Sequence, residues 1–245
     1  MRRFFFEPSS RNGDTVLLSE EESRHIVKVL RLKKGDTVEL LDGLGAAYQA
    51  VIDTVGRRVE ARIKGVVAKD VDSGKSLWVW QGLLKGEKMD TVVQKCTELG
   101  VTGIIPFQSS RCQGKLDGGQ ARKKRERWQR IGIAACKQSL RLQSIAIESP
   151  MSYADALSIK SDQTSMLRLL FWEEEKKTSL GDLADICTAD SIALMLGPEG
   201  GFSREEVLQA GLHGWRTVGL GERILRAETA TLTTVSIVQY LAGNL

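Results

Sequence analysis

The sequence predicts an α/β protein with a small N-terminal β-barrel and a larger C-terminal domain built on a parallel sheet. Over about the first seventy residues, short and partly alternating apolar runs are separated by turn residues, which is typical of half-buried strands. After a polar stretch, strand-like apolar runs alternate with segments of helical periodicity, as βαβ units require. We therefore expect domains at residues 1–70 and 76–245, joined by a linker at 71–75.

The N-terminal domain is predicted to contain one helix among its strands. Ser19 and Glu22 have the spacing of a capping box, and Ile26, Val27 and Leu30 follow as an apolar stripe. The strands are predicted at residues 16–18, 37–41, 47–52 and 59–63. Short strands with a single helix favour a small barrel.

The C-terminal domain is predicted to be a parallel sheet flanked by helices. Ser203 and Glu206 mark the start of one helix by their capping-box spacing. Strands are expected at 77–80, 103–107, 167–172, 192–196 and 215–218, and further helices at 89–99, 120–141 and 228–241. Because ligands bind at the carboxyl ends of parallel strands, the loops that follow the strands are the candidate sites.

Two glycine-containing loops are predicted to join a strand to a helix near the C-terminus. The glycine loop, residues 196–202, reads LGPEGGF, and its three glycines permit close approach of the backbone to a ligand. The arginine loop, residues 220–229, reads LGERILRAET and carries two arginines and two glutamates just before a helix. A tight turn explains the first loop, and an ion-paired surface explains the second, about as well as a binding site does. P-loop, dinucleotide-binding and serine-elbow motifs are absent from the sequence.

Composition excludes several classes of protein. The 245 residues are 42% hydrophobic and 27% charged, as in an ordinary globular protein. No stretch reaches the roughly 18 apolar residues of a membrane helix, and the apolar run at residues 4–6 is too short for a signal peptide. We therefore expect a cytoplasmic protein with no membrane association. Four widely spaced cysteines and two histidines lack zinc-ligand spacing, so no metal site is expected.

Basic residues are concentrated in three stretches, at residues 2–3, 24–34 and 122–130. The net charge of +4 is mild and does not by itself indicate a nucleic-acid-binding protein. Any one stretch is equally well explained as a solvated helix face. Three of them in a chain of this size favour an RNA-binding surface.

Motifs spread over the whole chain resemble the RsmE family of ribosomal RNA small-subunit uridine-N3 methyltransferases, within the SPOUT class. The glycine loop and the arginine loop are the most specific motifs, and their order and closeness to the C-terminus make the resemblance strong. The chain departs from the family pattern at Ala227, usually Thr, and at Leu140, usually Gly or Arg. The other matching motifs lie at 3–5, 25–31, 85–89, 94–100, 127–128 and 134–139.

The resemblance implies a PUA-like N-terminal barrel and a C-terminal SPOUT α/β domain with a deep trefoil knot. It implies a homodimer that binds S-adenosylmethionine in the knotted loops, releases S-adenosylhomocysteine and uses no metal. The implied substrate is a uridine of 16S ribosomal RNA, methylated at N3 in the free RNA or in an assembled 30S subunit.

The resemblance also implies two sets of contact residues. Backbone groups and apolar walls are expected to hold the cofactor at Phe171, Trp172, Leu196, Gly197, Pro198, Glu199, Gly200, Gly201, Leu220, Gly221, Ile224, Leu225, Arg226 and Thr229. RNA contacts, mainly to phosphates, are expected from Arg2, Arg3, His25, Arg31, Arg111, Arg122, Lys123, Lys124, Lys137 and Arg141. His25 is equally expected as a hydrogen-bonding residue of the barrel.

Methylation of uridine N3 requires removal of the imide proton and stabilisation of the negative charge that develops on the base oxygens. Arg226 is the expected group for the second task. Glu228 and Glu98 are candidate bases or orienting groups. Glu228 is equally expected to stabilise a helix N-terminus, and Glu98 to pair with Lys95 or Lys137.

Three alternative functions remain open at the level of sequence. A non-catalytic RNA-binding protein would keep the basic stretches but would not need an intact Gly200-Gly201 pair. A SPOUT methyltransferase with another RNA target, either a ribose hydroxyl or a different base, would keep both loops. An unrelated small-molecule α/β enzyme would have no use for a basic barrel.

Overall fold

The computed structural model describes residues 2–69, 74–112, 117–159 and 166–245, so residues 71–73 of the predicted linker lie outside the described residues. The strands are β1 (Arg3–Phe5), β2 (Arg11–Asn12), β3 (Thr15–Leu17), β4 (Thr37–Leu41), β5 (Ala46–Thr54), β6 (Glu60–Lys69), β7 (Ser76–Gly82), β8 (Gly103–Gln108), β9 (Ala146–Ile147), β10 (Met151–Ser152), β11 (Met166–Phe171), β12 (Ser191–Leu196) and β13 (Arg216–Val218). The α-helices are α1 (Glu20–Arg24), α2 (Lys88–Glu98), α3 (Gly118–Ser139), α4 (Tyr153–Ser158), α5 (Arg204–Leu212) and α6 (Ala227–Leu241). The chain forms two compact units, Met1–Ser73 with Cys136–Ser144, and Gly74–Ala135 with Ile145–Leu245.

The first unit is built on a six-stranded sheet in the order β1-β4-β5-β6-β3-β2. Strand β1 pairs with β4 in parallel, and the other neighbours are antiparallel. Fully buried side chains such as Phe4, Leu40 and Ile52 form its core. The predicted helix is present as α1, continued by a π-helical turn, and the Ser19 hydroxyl accepts the Glu22 N–H at 3.2 Å. The short strands β1 and β2 were not predicted, because two or three residues carry no readable alternation.

The second unit contains a parallel sheet in the order β10-β8-β7-β12-β11-β13, with β9 paired to β8. Every pairing in it is parallel, which confirms the prediction. Neighbouring residues of β12 enter two cores: Leu194 belongs to the core with α2 and α6, and Met195 to the core with α4 and α5. Since helices cover both faces, all six residues of β12 are buried.

Local signals set most of the helix ends in the second unit. Helix α2 stops before Gly100, whose φ of +81° is the left-handed conformation typical of a glycine that follows a helix C-terminus. Helix α5 starts at the predicted capping box, with Ser203 and Glu206 bonded reciprocally. Leu140, which follows α3 and belongs to the first unit, has φ +64°, a backbone conformation that costs a side-chain-bearing residue about 1 kcal/mol. Helix α4 and strands β9 and β10 were not predicted, because each is too short to show periodicity.

Candidate functional site

The carboxyl ends of several strands meet at one edge of the parallel sheet. In register, Leu196 at the end of β12 lies beside Phe171 at the end of β11 and beside Gln81 of β7. Phe171 in turn lies beside Val218 at the end of β13. The glycine loop and the arginine loop follow these strand ends and therefore start close together.

A cavity opens at this edge between the glycine loop, the arginine loop and the end of β11. Its lining contains nearly all the residues expected to contact a cofactor, with Arg226 and Thr229 as the exceptions. The lining residues are Phe171, Trp172, Glu173, Lys176, residues 196–202, residues 220–225, Ala227 and Ala230.

Two glycines set the shape of the cavity wall. A Cβ atom at Gly82, the last residue of β7, would come within 2.5 Å of the Pro198 nitrogen and 2.9 Å of the Gly197 carbonyl carbon. Both are backbone atoms, so any side chain at Gly82 would displace the glycine loop. Gly201 has φ +66°, and the Glu173 carboxylate occupies the place where its Cβ would lie.

Gln81 links the glycine loop to α6 through buried hydrogen bonds. Its Nε2 donates to the Gly197 carbonyl at 3.3 Å and to the Gly82 carbonyl at 3.0 Å. Its Oε1 accepts the Thr231 hydroxyl at 2.7 Å. Gln81 and Thr231 are both fully buried, so removal of the Thr231 hydroxyl would leave Gln81 Oε1 unpaired and out of reach of water.

Lys88, in the first turn of α2, lies between two carboxylates near the rim of the cavity. Its Nζ is 3.2 Å from Glu199 Oε1 and 3.4 Å from Glu228 Oε2. The hydrogen bond with Glu199, together with the two negative charges, outweighs desolvation and raises the pKa of Lys88. Desolvation tends to raise the pKa of Glu199, but donation by the Lys85 N–H at 3.1 Å and by Lys88 lowers it overall. Glu199 is therefore an anion at neutral pH.

The loop after β8 holds the other side of the glycine loop. Arg111 Nη1 donates to the Gly200 carbonyl at 2.9 Å. The neighbouring Ser110 N–H donates to Glu206 Oε1 at 2.7 Å, while Oε2 of the same carboxylate accepts the Ser203 N–H at 2.9 Å. The capping box of α5 is thus also a link between two loops of the second unit.

The arginine loop is much less constrained by side chains. Ile224 is 89% exposed, and Gly221, with φ +96°, faces open space. Within the described part of the chain, the side chains of Glu222, Arg223 and Arg226 have no hydrogen bond or ion pair. Its polar groups are therefore available to a ligand.

The three predicted catalytic residues lie in different surroundings. Arg226 is the exposed N-cap residue of α6. Glu228 lies in the first turn of α6, and its buried Oε2 has the long ion pair with Lys88 but no hydrogen bond among the described residues. Glu98, at the end of α2, accepts from Lys95 at 2.8 Å and from Gln94 at 3.0 Å. It does not line the cavity, and its pairing with Lys95 matches the structural alternative considered for it.

The residues of the first unit that were expected to contact RNA divide into two groups. Arg2, His25 and Arg31 are exposed. Arg3 instead forms an ion pair with Glu39 at 2.9 Å, and Lys137 forms one with Glu22. Arg141 is partly buried. Phe4 is fully buried in the core, where its ring meets the His25 ring edge-on.

The residues of the second unit that were expected to contact RNA are all exposed. Arg122, Lys123 and Lys124 project from α3, and Arg122 has only a 3.9 Å ion pair with Glu126. Arg111 differs from them, because its guanidinium is bonded to the glycine loop. It is therefore placed to affect the cavity as well as RNA.

Sequence reasoning missed four residues of this region: Gln81, Lys88, Glu173 and Lys176. Gln81 had a usable signal, since it is a polar residue directly after the apolar run 77–80. Lys88 lies in the motif at 85–89, which was noted without a role. Glu173 and Lys176 line the cavity because they follow the end of β11.

The described residues offer neither a metal site nor a membrane-spanning helix. No three His, Cys, Asp or Glu side chains in this part of the chain are grouped so as to hold a metal ion. Within the same residues, no helix combines the length and apolar character needed to cross a membrane.

Known families and proteins match this chain over nearly its whole length. A family model described as an RNA methyltransferase domain matches residues 72–239, and one described as an RNA methyltransferase PUA domain matches residues 18–64. The chain is 31% identical to the ribosomal RNA small subunit methyltransferase E of Bacillus subtilis, over 98% of this chain and 96% of that protein. It is 30% identical to the protein of the same name from Rickettsia conorii, over 95% of this chain and 92% of that protein.

Solved structures match the fold at similar identity. A ribosomal RNA small subunit methyltransferase E from Neisseria gonorrhoeae bound to S-adenosyl methionine has a TM-score of 0.85 and 34% identity, with 98% of each chain covered. A methyltransferase from Legionella pneumophila in complex with the same cofactor has a TM-score of 0.86 and 33% identity, covering 97% of this chain and 96% of that one.

Proposed function

The chain belongs to the ribosomal RNA small subunit methyltransferase E family, and we propose that it transfers a methyl group from S-adenosylmethionine to N3 of a uridine in 16S ribosomal RNA. It is an S-adenosylmethionine-dependent methyltransferase with a PUA-like domain. The observation that carries the proposal is the cavity between the glycine loop and the arginine loop. Membership in the family also excludes the alternative that the protein is an unrelated small-molecule α/β enzyme.

The residues around the cavity suit S-adenosylmethionine. Phe171, Leu196 and Leu220 supply apolar walls, and the glycine loop presents backbone rather than side chains. Glu173 and Glu199 also line the cavity. Glu199 is paired with Lys88, whereas the Glu173 carboxylate favours a ligand that carries positive charge. When bound, the cofactor supplies a methyl group activated by a positively charged sulfur.

Two residues near the cavity suit the chemistry of the uracil ring. The Arg226 guanidinium has no partner in the described part of the chain and is exposed, so it can donate to the base oxygens on which negative charge develops. The Glu228 carboxylate, which forms an ion pair with Lys88 at 3.4 Å, is our candidate for the group that takes the N3 proton. Glu98 suits this task less, because both of its oxygens already accept hydrogen bonds from α2.

We assign RNA binding to the exposed basic residues Arg2, His25 and Arg31, and to the basic face of α3.

We extend to this chain the trefoil knot and the homodimer that the resemblance implies. Exposed apolar residues on α5 and α6, including Leu208, Leu212 and Tyr240, support a homodimer. A ribosomal RNA substrate, in the free RNA or in an assembled 30S subunit, supports a cytoplasmic location.

Nucleoside mass spectrometry tests the proposed function directly. Small ribosomal subunits without native methylation would be incubated with the protein and isotopically labelled S-adenosylmethionine, and the RNA would then be digested. Labelled 3-methyluridine is the expected product. Another labelled nucleoside would reassign the target within RNA. No label, from free RNA and from subunits alike, would overturn the proposal, and loss of cofactor binding in addition would favour a non-catalytic RNA-binding protein.

A further inference from the structure

Lys88 is the only described residue whose charged group contacts both a residue of the glycine loop and a residue of the arginine loop. Its ammonium group meets Glu199 at 3.2 Å and Glu228 at 3.4 Å. Its own position is set by α2, where the adjacent Met89 is buried in the core. The contact therefore runs from a packed helix to Glu199 in the cavity wall and to Glu228 in the first turn of α6.

We propose that Lys88 is a positioning residue for methyl transfer, which holds the cofactor-binding glycine loop and the Glu228 carboxylate in the relative arrangement that the reaction needs. This inference rests on the proposed function. It assigns to Lys88 an effect on cofactor binding through Glu199 and an effect on turnover through Glu228.

The environment of the contact separates it from an ordinary surface ion pair. Lys88 is 37% exposed, and the carboxylates of Glu199 and Glu228 are only 25% and 21% exposed. The Lys85 N–H fixes Glu199 from a second direction. A half-buried cation that faces two carboxylates is less screened by solvent than an exposed pair, and its loss leaves the two anions facing each other.

Gln81 provides a second connection between the same parts of the site. Gln81 joins Gly197 to Thr231 through buried hydrogen bonds, so it also connects the glycine loop to α6. Gln81 fixes the backbone of the loop, whereas Lys88 fixes the carboxylate ends. Removal of Lys88 should therefore disturb the charged groups without collapse of the loop.

The experiment compares K88M, K88R and R216M with the wild-type protein. Arg216 provides an exposed ion pair for comparison, with Asp185 at 2.8 Å, in the same unit but outside the cavity. Calorimetry with S-adenosylhomocysteine gives Kd, and saturating S-adenosylmethionine with subunit substrate gives kcat. We expect K88M to raise Kd about fivefold and to lower kcat more than about tenfold. K88R should recover most of both losses, and R216M should stay within about twofold of wild type.

A double-mutant cycle completes the test. In the K88M background, E199Q should raise Kd little further, because its main charged partner is already gone. Wild-type kcat and Kd retained in K88M, no recovery in K88R, or fully additive effects of K88M and E199Q would each overturn the assignment. An inactive wild-type protein would instead contradict the proposed function, which keeps the two failures distinguishable.

Discussion

The two loops that line the cavity are held in opposite ways. The glycine loop is fixed from several sides by Gln81, Lys88 and Arg111, and its last residue, Phe202, is buried against Phe107. In the arginine loop, by contrast, most side chains between the end of β13 and α6 are exposed. One wall of the cavity therefore takes its shape from the packing of the second unit, whereas the other keeps its charged groups free for a ligand.

This difference suggests that the glycine loop sets the shape of the cofactor site, whereas the arginine loop supplies groups for the reaction. Loops with many buried contacts hold a fixed geometry, while loops with few contacts open at low cost in free energy. A rigid wall suits recognition of a cofactor by backbone atoms. An exposed wall suits an arginine that must meet a base carried by a large RNA.

Substitution of Arg226 is the strongest test of the chemical role of the arginine loop. Arg226→Ala should lower kcat by roughly 100-fold or more, because the charge on the base oxygens loses a positioned donor. Cofactor Kd and thermal stability should change little, since the side chain is exposed and has no partner in the described part of the chain. The kcat of Arg226→Lys should be intermediate, because lysine keeps the positive charge but lacks the planar guanidinium group. Normal turnover in Arg226→Ala would show that the catalytic assignment is wrong.

Substitution of Gly82 tests whether packing sets the shape of the glycine loop. Gly82→Ala places a methyl group against the backbone at 197–198, so we expect cofactor Kd to rise by roughly 10- to 100-fold, in line with 1–3 kcal/mol of overpacking. Gly211→Ala on α5 is the matched control, since nothing lies within 4 Å of the added Cβ. Calorimetry with S-adenosylhomocysteine measures both. Equal affinity in the two variants would mean that the loop adjusts freely.

Substitution of Arg111 should have the smallest effect of the three. It tests whether Arg111 belongs to the cavity, to the RNA surface or to both. Loss of its bond to the Gly200 carbonyl should weaken cofactor binding only about threefold, as expected for an exposed hydrogen bond. If Arg111 also contacts a phosphate, Arg111→Ala lowers the slope of log affinity for RNA against log salt by about one. An unchanged slope with weaker cofactor binding would remove Arg111 from the RNA surface and leave it as a support of the glycine loop.

Much of the second unit was readable from the sequence, because its strands are long apolar runs and its helices have clear ends. The glycine at position 100 and the pair Ser203 and Glu206 act within one turn of chain, so their effects do not depend on distant residues. The predicted strands agree with β7, β8, β11, β12 and β13 to within two residues at each end. Short elements such as α4 were not predictable, because they form only where neighbouring strands and side chains hold them.

The candidate site was predicted unevenly for a related reason. Loop residues that are contiguous in sequence, such as Gly197 to Gly201, were identified by composition and by family resemblance. Gln81 and Lys88 reach the cavity from positions more than a hundred residues earlier in the chain. Their role depends on which strands are neighbours in the sheet, and local pattern contains no such information.

The sequence by itself determined the parallel α/β class of the second unit, the two loops and the family of this protein. Periodicity, capping and contiguous motifs are local properties, so they can be read without the fold. Only the tertiary structure decided that β12 lies between β7 and β11, which brings Gln81 beside Leu196 and Leu196 beside Phe171. It also decided which charges meet: Lys88 faces Glu199 and Glu228, while Glu98 is engaged by Lys95. Charge pairing acts over a few ångströms in space, and sequence separation does not report that distance.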